Sequence, residues 1–167
     1  MTLMELNSLD NSLRRVALSK CCGSKTWVEK MLTIFPVHNS TELSEAAEKI
    51  WFSCNENDWR DAFEHHPRIG DIDSLKEKYP TTADWAEGEQ AGVRKTSRNV
   101  LEDLSNANRN YEEKFGYIFI VCATGKTSEE MLTLLQSRLN NKPEDEIKIA
   151  MGEQNKITKI RLQKLLT

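Results

Sequence analysis

Apolar residues recur every three or four positions along most of the chain, and this spacing is typical of amphipathic α-helices. In the first half, the pattern predicts helices over 11–18, over 24–34 and from 40 to about 63. We expect Leu13, Val16 and Ala17 to form the apolar side of the first of these helices. Ser24 is expected to cap the second, since a serine side chain accepts a hydrogen bond from the first helical turn.

The second half of the chain shows three further helical patterns and one stretch of a different kind. The helical patterns run over 81–112, 127–139 and 143–166. Thr127 suits a helix cap, and Pro143 suits the first position of the last helix. Residues 115–123 are apolar, β-branched and aromatic, so we expect them to be extended and buried. The sequence therefore predicts an all-α fold, with a single compact domain over 1–167, seven or eight helices and one irregular extended apolar segment near 115–123.

Composition and charge are those of a globular protein rather than of a disordered or nucleic-acid-binding chain. The sequence is 38% hydrophobic and 29% charged, and its net charge is −3 without a basic patch. The longest apolar run, 117–123, is too short to cross a bilayer, and the first residues lack the pattern of a secretory signal. We therefore expect a cytoplasmic protein without a membrane or nucleic-acid partner.

The cysteine and histidine positions argue against a metal site. Cys21 and Cys22 are adjacent, and the four cysteines contain no Cys-x-x-Cys pair of the kind that binds zinc. The adjacent pair His65-His66 does not have the spacing of two ligands on one helix face. We expect four reduced thiols and no bound metal.

His66 stands at a predicted helix end, where Pro67 forces the chain out of the helical conformation. A histidine gains and loses a proton near neutral pH, so an imidazole held in a stiff loop is a candidate acid or base. The alternative is that His66 only caps the helix at the surface.

Two further polar residues occupy positions where the helical pattern calls for apolar ones. Glu89 lies within the apolar stripe of the 81–112 helix, where a retained carboxylate is a candidate acid or base. Arg161 occupies an aliphatic position in the last helix, and a guanidinium suits a planar carboxylate. The alternatives are a rotated helix with Glu89 in solvent, and an Arg161 that lies along the surface with only its stem covered.

Four stretches of the chain resemble the 2-oxo-4-hydroxy-4-carboxy-5-ureidoimidazoline (OHCU) decarboxylase family. They are His-Pro-Arg-Ile-Gly at 66–70, Glu-Gln-Ala-Gly at 89–92, Phe-Gly-Tyr-Ile-Phe-Ile-Val-Cys-Ala at 115–123 and Arg-Leu at 161–162. Cys-Cys-Gly-Ser at 21–24, followed by Trp27, is also similar to the bacterial branch. The resemblance covers nearly the whole chain, in the family's order.

The resemblance implies an all-α, cofactor-free carboxy-lyase that is usually a homodimer. Such an enzyme acts third in urate breakdown, after urate oxidase and hydroxyisourate hydrolase, and yields (S)-allantoin. The resemblance also implies that the small-molecule substrate is OHCU. It implies neither a metal nor an organic cofactor.

Carried over motif by motif, the resemblance also implies a set of site residues. The implied catalytic residues are His66, Glu89 and Arg161. The implied substrate-binding residues are Pro67, Gln90 and, through main-chain groups, Phe119, Ile120, Val121 and Ala123. One departure is Ala86, where the family commonly has a serine, so one hydroxyl contact to the substrate is absent or comes from another group.

Two other functional classes stay open at the level of sequence. One is a related cofactor-free lyase or isomerase on the same scaffold, because a fold does not fix a function. The other is a non-catalytic helical interaction module, although no long apolar stripe is left over for a partner. An assay for chiral allantoin separates the decarboxylase from both.

Overall fold

The structure, a computed structural model, describes residues 1–69, Gly88 and 98–167. Within these residues the chain forms eight α-helices and no strand, so the all-α prediction is confirmed for this part. The predicted helix from 81 lies outside the described residues up to position 97, apart from Gly88. The helices are α1 (Leu3–Ser8), α2 (Asn11–Cys21), α3 (Lys25–Leu32), α4 (Ser40–Phe52), α5 (Glu56–Phe63), α6 (Arg98–Phe115), α7 (Ser128–Arg138) and α8 (Pro143–Leu165).

The helices belong to two compact units. The first unit comprises 1–62 and 155–167, and the second comprises 63–154. The long helix α8 begins in the second unit and ends in the first. No helix in the described ranges is long and apolar enough to cross a membrane.

In the first unit, α3 packs between α2 and α4 around large buried side chains. Trp27 and Met31 of α3 and Trp51 of α4 are almost completely buried. The indole N–H of Trp27 donates to the Ala47 carbonyl oxygen at 3.0 Å, so this buried polar group is satisfied. Ser24 caps α3 as predicted, because its hydroxyl accepts from the Trp27 N–H.

The predicted apolar side of α2 is wrong. Leu13 and Val16 are 56% and 57% exposed, whereas Arg14 is buried beside Ala17. The reason is the end of α1, whose last carbonyls need donors. The guanidinium of Arg14 donates to the carbonyl oxygens of Leu6, Asn7 and Leu9 at 3.2, 2.8 and 2.6 Å, and this demand turns Arg14 inward.

In the second unit, α6 packs against α7 around a hydrophobic cluster. The apolar stripe of the predicted 81–112 helix includes Val100, Leu104, Ala107 and Tyr111 in its described part. The last three are buried, and Val100 is partly buried against the cluster. The cluster also contains the side chains of Ile69, Phe115, Phe119, Val121, Ala123, Met131 and Leu135. This cluster connects the helices of the unit to the segment that follows α6.

The apolar segment after α6 is buried and outside any helix, as predicted, but it begins later than position 115. Phe115 is the last residue of α6, and Gly116 has a φ of 75°, which is the left-handed conformation that ends a helix. Residues 118–123 then run without helix, turn or bend. Phe119 through Ala123 are all buried.

Thr127 forms a capping box at the start of α7. Its hydroxyl accepts from the Glu130 N–H at 3.2 Å, and the Glu130 carboxylate accepts from the Thr127 N–H at 2.8 Å. Two N–H groups that lack helical partners are thereby satisfied. The predicted cap is confirmed, as is Pro143 at the first position of α8.

Replacing Thr127 with alanine is expected to lower the free energy of unfolding by about 1 kcal/mol, because the hydroxyl acceptor of the capping box is lost. Urea denaturation followed by circular dichroism measures this change. The matched control is Thr133→Ala, an exposed position within α7 whose hydroxyl donates to the Glu129 carbonyl oxygen. Since alanine favours the helix interior, an equal loss in both variants contradicts the capping role.

Candidate active site

The loop that carries His66 begins where α5 ends. The His66 N–H donates to the Phe63 carbonyl oxygen at 3.1 Å, which closes a tight turn after the last helical residue. Pro67 lacks an N–H and cannot continue the helix. His66 is partly buried and Pro67 is buried, so this loop is packed rather than loosely exposed.

Three contacts fix the His66–Pro67 loop within the second unit. The Phe63 ring lies 5.3 Å from the Tyr117 ring, measured between centroids. Ile69 belongs to the same hydrophobic cluster as the side chains of the extended segment. Arg68 forms a two-pronged ion pair with Glu112 of α6, with 2.8 Å between Nη2 and Oε2. The structure thus brings the loop and the segment onto one cluster.

A cavity of about 640 Å³ lies between the end of this loop and α6. Arg68, Ile69 and Asn108 are among its lining residues. The Oδ1 atom of Asn108 is buried and has no hydrogen-bond partner among the described residues. Within the described part of the chain, neither His66 nor Arg161 lines this cavity.

Side chains from outside the extended segment hold its main chain at two residues. The Nη1 atom of Arg138 donates to the Ile120 carbonyl oxygen at 2.8 Å. The Cys122 N–H donates to the Glu153 carboxylate at 2.7 Å, and the Lys126 ammonium donates to the Cys122 carbonyl oxygen at 2.8 Å. These bonds replace the strand neighbours that a sheet would provide.

Other main-chain groups of the segment are not hydrogen-bonded. The described residues offer no hydrogen-bond partner to the main-chain groups of Phe119 and Val121, or to the N–H of Ile120 and of Ala123. Phe119 and Val121 are nevertheless 1% and 6% exposed. Buried main-chain groups are normally hydrogen-bonded. Unpaired N–H and C=O groups in a segment that side chains otherwise hold are therefore suited to bind a polar ligand.

Behind the segment lies a buried polar cluster that the sequence analysis missed. The carboxylate of Glu146, which is fully buried, accepts hydrogen bonds from Arg138 Nε at 2.7 Å, from Asn141 Nδ2 at 2.7 Å and from the Tyr111 hydroxyl. The Arg138 guanidinium also lies over the Phe119 ring, 4.6 Å from its centroid. Burial is the main cause of a raised pKa at Tyr111, whose phenol stays protonated.

No sequence signal distinguishes this cluster from ordinary helix ends. Arg138 lies in the last turn of α7 and Glu146 in the first turn of α8. Cations are common at helix C-termini and anions at N-termini, where both are usually solvated. Only the three-dimensional structure shows that these two charges are paired and buried together.

Arg161 is buried in the first unit, with 1% of its surface exposed. The alternative of a surface arginine with only its stem covered is therefore wrong. Its Nη1 atom donates to the Lys20 carbonyl oxygen at 3.4 Å. Burial raises the pKa of the nearby Cys21 and Cys22 thiols to about 12, even though the charge of Arg161 acts in the opposite direction. Both thiols are thus protonated at neutral pH and are poor nucleophiles.

The remaining predicted residues are not covered. Glu89 and Gln90 lie outside the described residues, and so does Ala86. Whether Glu89 is buried or solvated stays a prediction. In the described ranges, no group of three or more His, Cys, Asp or Glu side chains is arranged to hold a metal ion.

Comparison with known proteins finds one family model that matches residues 7–163, the model of OHCU decarboxylase. The Arabidopsis thaliana "uric acid degradation bifunctional protein TTL" is 38% identical over 148 residues, which are 88% of this chain and 45% of that protein. The chain thus spans less than half the length of this plant relative. A Haloferax volcanii 2-oxo-4-hydroxy-4-carboxy-5-ureidoimidazoline decarboxylase is 23% identical over 97% of this chain and 94% of its own.

A similar solved structure is a crystal structure of OHCU decarboxylase in the presence of (S)-allantoin. It is 37% identical in sequence, with a TM-score of 0.76, and the match covers 89% of this chain and 95% of that one. The similarity therefore extends over nearly all of a solved protein of comparable length.

Proposed function

Because the chain belongs to the OHCU decarboxylase family, we propose that it converts OHCU to (S)-allantoin and carbon dioxide, the third step of urate degradation. The observation that carries this proposal is the family match from residue 7 to residue 163. The solved OHCU decarboxylase in the presence of (S)-allantoin supports it, because that chain is similar over almost its whole length.

The structure of OHCU explains why the proposed reaction needs no cofactor. Its C4 atom carries both a carboxylate and a hydroxyl, and the adjacent C5 atom belongs to a ring imine. When the bond between C4 and the carboxylate breaks, its electron pair forms a C4–C5 double bond. The imine nitrogen takes up the displaced pair together with a proton, and carbon dioxide leaves. The ring thus supplies the electron sink that a cofactor supplies in other decarboxylases.

The enol-like intermediate is then converted to the product. Its hydroxyl loses a proton as C4 becomes a carbonyl, and C5 gains a proton on one face. In total, the substrate anion takes up one proton and releases one carbon dioxide. Delivery of the proton to a single face accounts for a single enantiomer.

The proposed catalytic residues are His66, Glu89 and Arg161. His66 transfers a proton with the C4 hydroxyl or with the imine nitrogen, a role for which an imidazole is generally suited. Arg161 binds an anionic or carbonyl part of the substrate and orients the bond that breaks. Glu89 holds the hydroxyl or ureido group.

The proposed binding residues surround these groups. Gln90 holds the ureido group together with Glu89, and Pro67 shapes the wall beside His66. The remaining contacts come from main-chain groups of Phe119, Ile120, Val121 and Ala123. Two observations support this assignment: the His66–Pro67 loop shares a hydrophobic cluster with the segment, and the segment has open main-chain groups.

We also propose that the protein acts in the cytoplasm as a homodimer, without a nucleic-acid or membrane partner. The family resemblance carries the dimer, and the composition favours the absence of those partners. Sedimentation velocity of the purified protein tests the dimer. A monomer at micromolar concentration contradicts it.

The proposed function is tested by following the optical activity of the product. Urate is mixed with urate oxidase and hydroxyisourate hydrolase, the protein is added, and circular dichroism records chiral allantoin. We expect rapid growth of a single-enantiomer signal, with an unchanged rate after dialysis against a metal chelator. A rate equal to that of the spontaneous reaction contradicts the proposal and favours an interaction module or a different cofactor-free enzyme.

A further inference from the structure

The side-chain hydrogen bonds to the main chain of 119–123 fall on alternate residues. Arg138 binds at Ile120, and Glu153 and Lys126 bind at Cys122. The Ala123 carbonyl oxygen accepts from the Lys126 N–H in the turn that follows. The main-chain groups of Phe119 and Val121, which flank Ile120, have no hydrogen-bond partner among the described residues.

We propose that Arg138 and Glu153 are positioning residues, which fix the segment at Ile120 and Cys122 so that the main chain of Val121 between them is held in place for the substrate. This inference rests on the proposed function, in which the main chain of the segment binds OHCU. Neither residue touches the substrate. Each acts through the main-chain group that it holds.

Arg138 is suited to this role because its own position is fixed. Its side chain is 9% exposed, and its guanidinium is held by Glu146 on one side and by the Phe119 ring on another. The planar guanidinium of Arg138 therefore presents its Nη1 atom to the Ile120 carbonyl oxygen in a fixed orientation. A lone hydrogen bond from a mobile surface lysine would not fix the segment in this way.

Glu153 holds the main chain at Cys122, two residues after Ile120. Its carboxylate accepts the Cys122 N–H at 2.7 Å, and a hydrogen bond to an ionised group is stronger than one between neutral groups. Because Glu153 is only partly buried, its replacement threatens the fold less than replacement of Arg138. It is therefore the better position for an experiment.

The test compares Glu153→Leu, which removes the acceptor, with Glu153→Gln, which keeps a side-chain oxygen that can accept the Cys122 N–H. The matched controls are Glu45→Leu and Glu45→Gln, at an exposed glutamate within α4. We expect kcat/KM for OHCU to fall about 10- to 100-fold in Glu153→Leu, because small displacements of binding groups have effects of this size. The loss should lie mainly in KM, and Glu153→Gln should recover most of it.

Amide hydrogen exchange of peptides covering 119–123 supplies a readout that does not depend on activity. Exchange is expected to be faster in Glu153→Leu than in Glu153→Gln, with an unchanged urea midpoint. If both variants keep wild-type kcat/KM, or if both lose it equally, the positioning role is overturned. If the wild-type protein has no activity on OHCU, the proposed function fails instead, and exchange still decides whether Glu153 holds the segment.

Arg138 needs a different design, because its removal alone leaves the Glu146 carboxylate buried without its cation. The double variant Arg138→Met/Glu146→Leu replaces both charges with apolar side chains, an exchange that buried ion pairs often tolerate. We expect the folded double variant to lose at least about tenfold in kcat/KM, again mainly through KM. A folded double variant with wild-type KM and wild-type exchange at 119–123 overturns the role of Arg138.

Discussion

The His66→Ala variant is expected to lose at least about 100-fold in kcat while it stays folded, because a positioned acid–base group typically contributes about 10²- to 10⁴-fold to the rate. His66 lies in a loop after α5 rather than within a helix, and it is only partly buried. Truncation therefore removes the imidazole without opening a large core cavity. Steady-state kinetics by circular dichroism measure kcat, and the urea midpoint reports the fold.

The neighbouring residue provides a matched control for His66. His65 has the same side chain and is also partly buried, but the proposed mechanism gives it no role. His65→Ala is therefore expected to leave kcat nearly unchanged, because only interactions with the reacting groups contribute to the chemical step. A folded, fully active His66→Ala or His66→Asn variant removes His66 from the mechanism, and an equal loss at both positions shows that the loop as a whole is needed.

The helices and their caps were predictable because local chemistry decides them. Ser24 and Thr127 accept hydrogen bonds from the first turns of their helices, and Pro143 begins α8. Each of these residues acts within one helical turn of its own position. The extended segment was predictable for a similar reason, since an apolar β-branched stretch lay between clear helical patterns.

Burial of charged residues was not predictable in the same way, because it depends on partners that are distant in sequence or on a neighbouring helix end. The pattern placed Leu13 and Val16 on the apolar side of α2, but the carbonyl groups at the end of α1 draw Arg14 inward instead. Arg138 and Glu146 carry the charges expected at helix ends, yet the structure buries both.

In the candidate site, too, some features could be predicted from the sequence and others could not. The position of His66 at a helix end followed from Pro67, which is adjacent to it. The unpaired main-chain groups of Phe119 and Val121 could not be predicted from composition, because they depend on which main-chain groups Arg138 and Glu153 bind. The resemblance to a family supplied the residues, and the structure supplied a physical reason why the main chain of this segment is available.

Arg161 is the case in which a polar residue in an apolar stripe proved to be buried. The three-four spacing of α8 leads through Ile157 to Arg161, and both are buried. A buried guanidinium is costly unless its donors are used. Its Nη1 atom donates to the Lys20 carbonyl oxygen at 3.4 Å, and the planar shape of a guanidinium suits a two-pronged interaction with a carboxylate or similar planar group of the proposed substrate.

Replacing Arg161 with methionine is therefore expected to abolish both binding and turnover, with kcat/KM at least about 100-fold below that of the wild type, as for the loss of other electrostatic contacts in active sites. Methionine keeps an unbranched apolar stem, so the packing of α8 is largely retained. Arg161→Lys keeps the positive charge but not the two parallel donors of the guanidinium, and we expect intermediate activity. Calorimetric titration with (S)-allantoin measures binding separately from turnover.

Lys159, on the same helix, provides the control for the loss of a cation. It pairs with Glu48 at 2.8 Å near the surface, with 37% of its side chain exposed. Lys159→Met is expected to leave kcat/KM nearly unchanged, because exposed ion pairs contribute about 0–1 kcal/mol to stability and the proposed mechanism gives this one no catalytic role. If Arg161→Met lowers the melting temperature but keeps wild-type kcat/KM and wild-type affinity for (S)-allantoin, the buried guanidinium is structural. The anion-binding role must then be assigned to another residue.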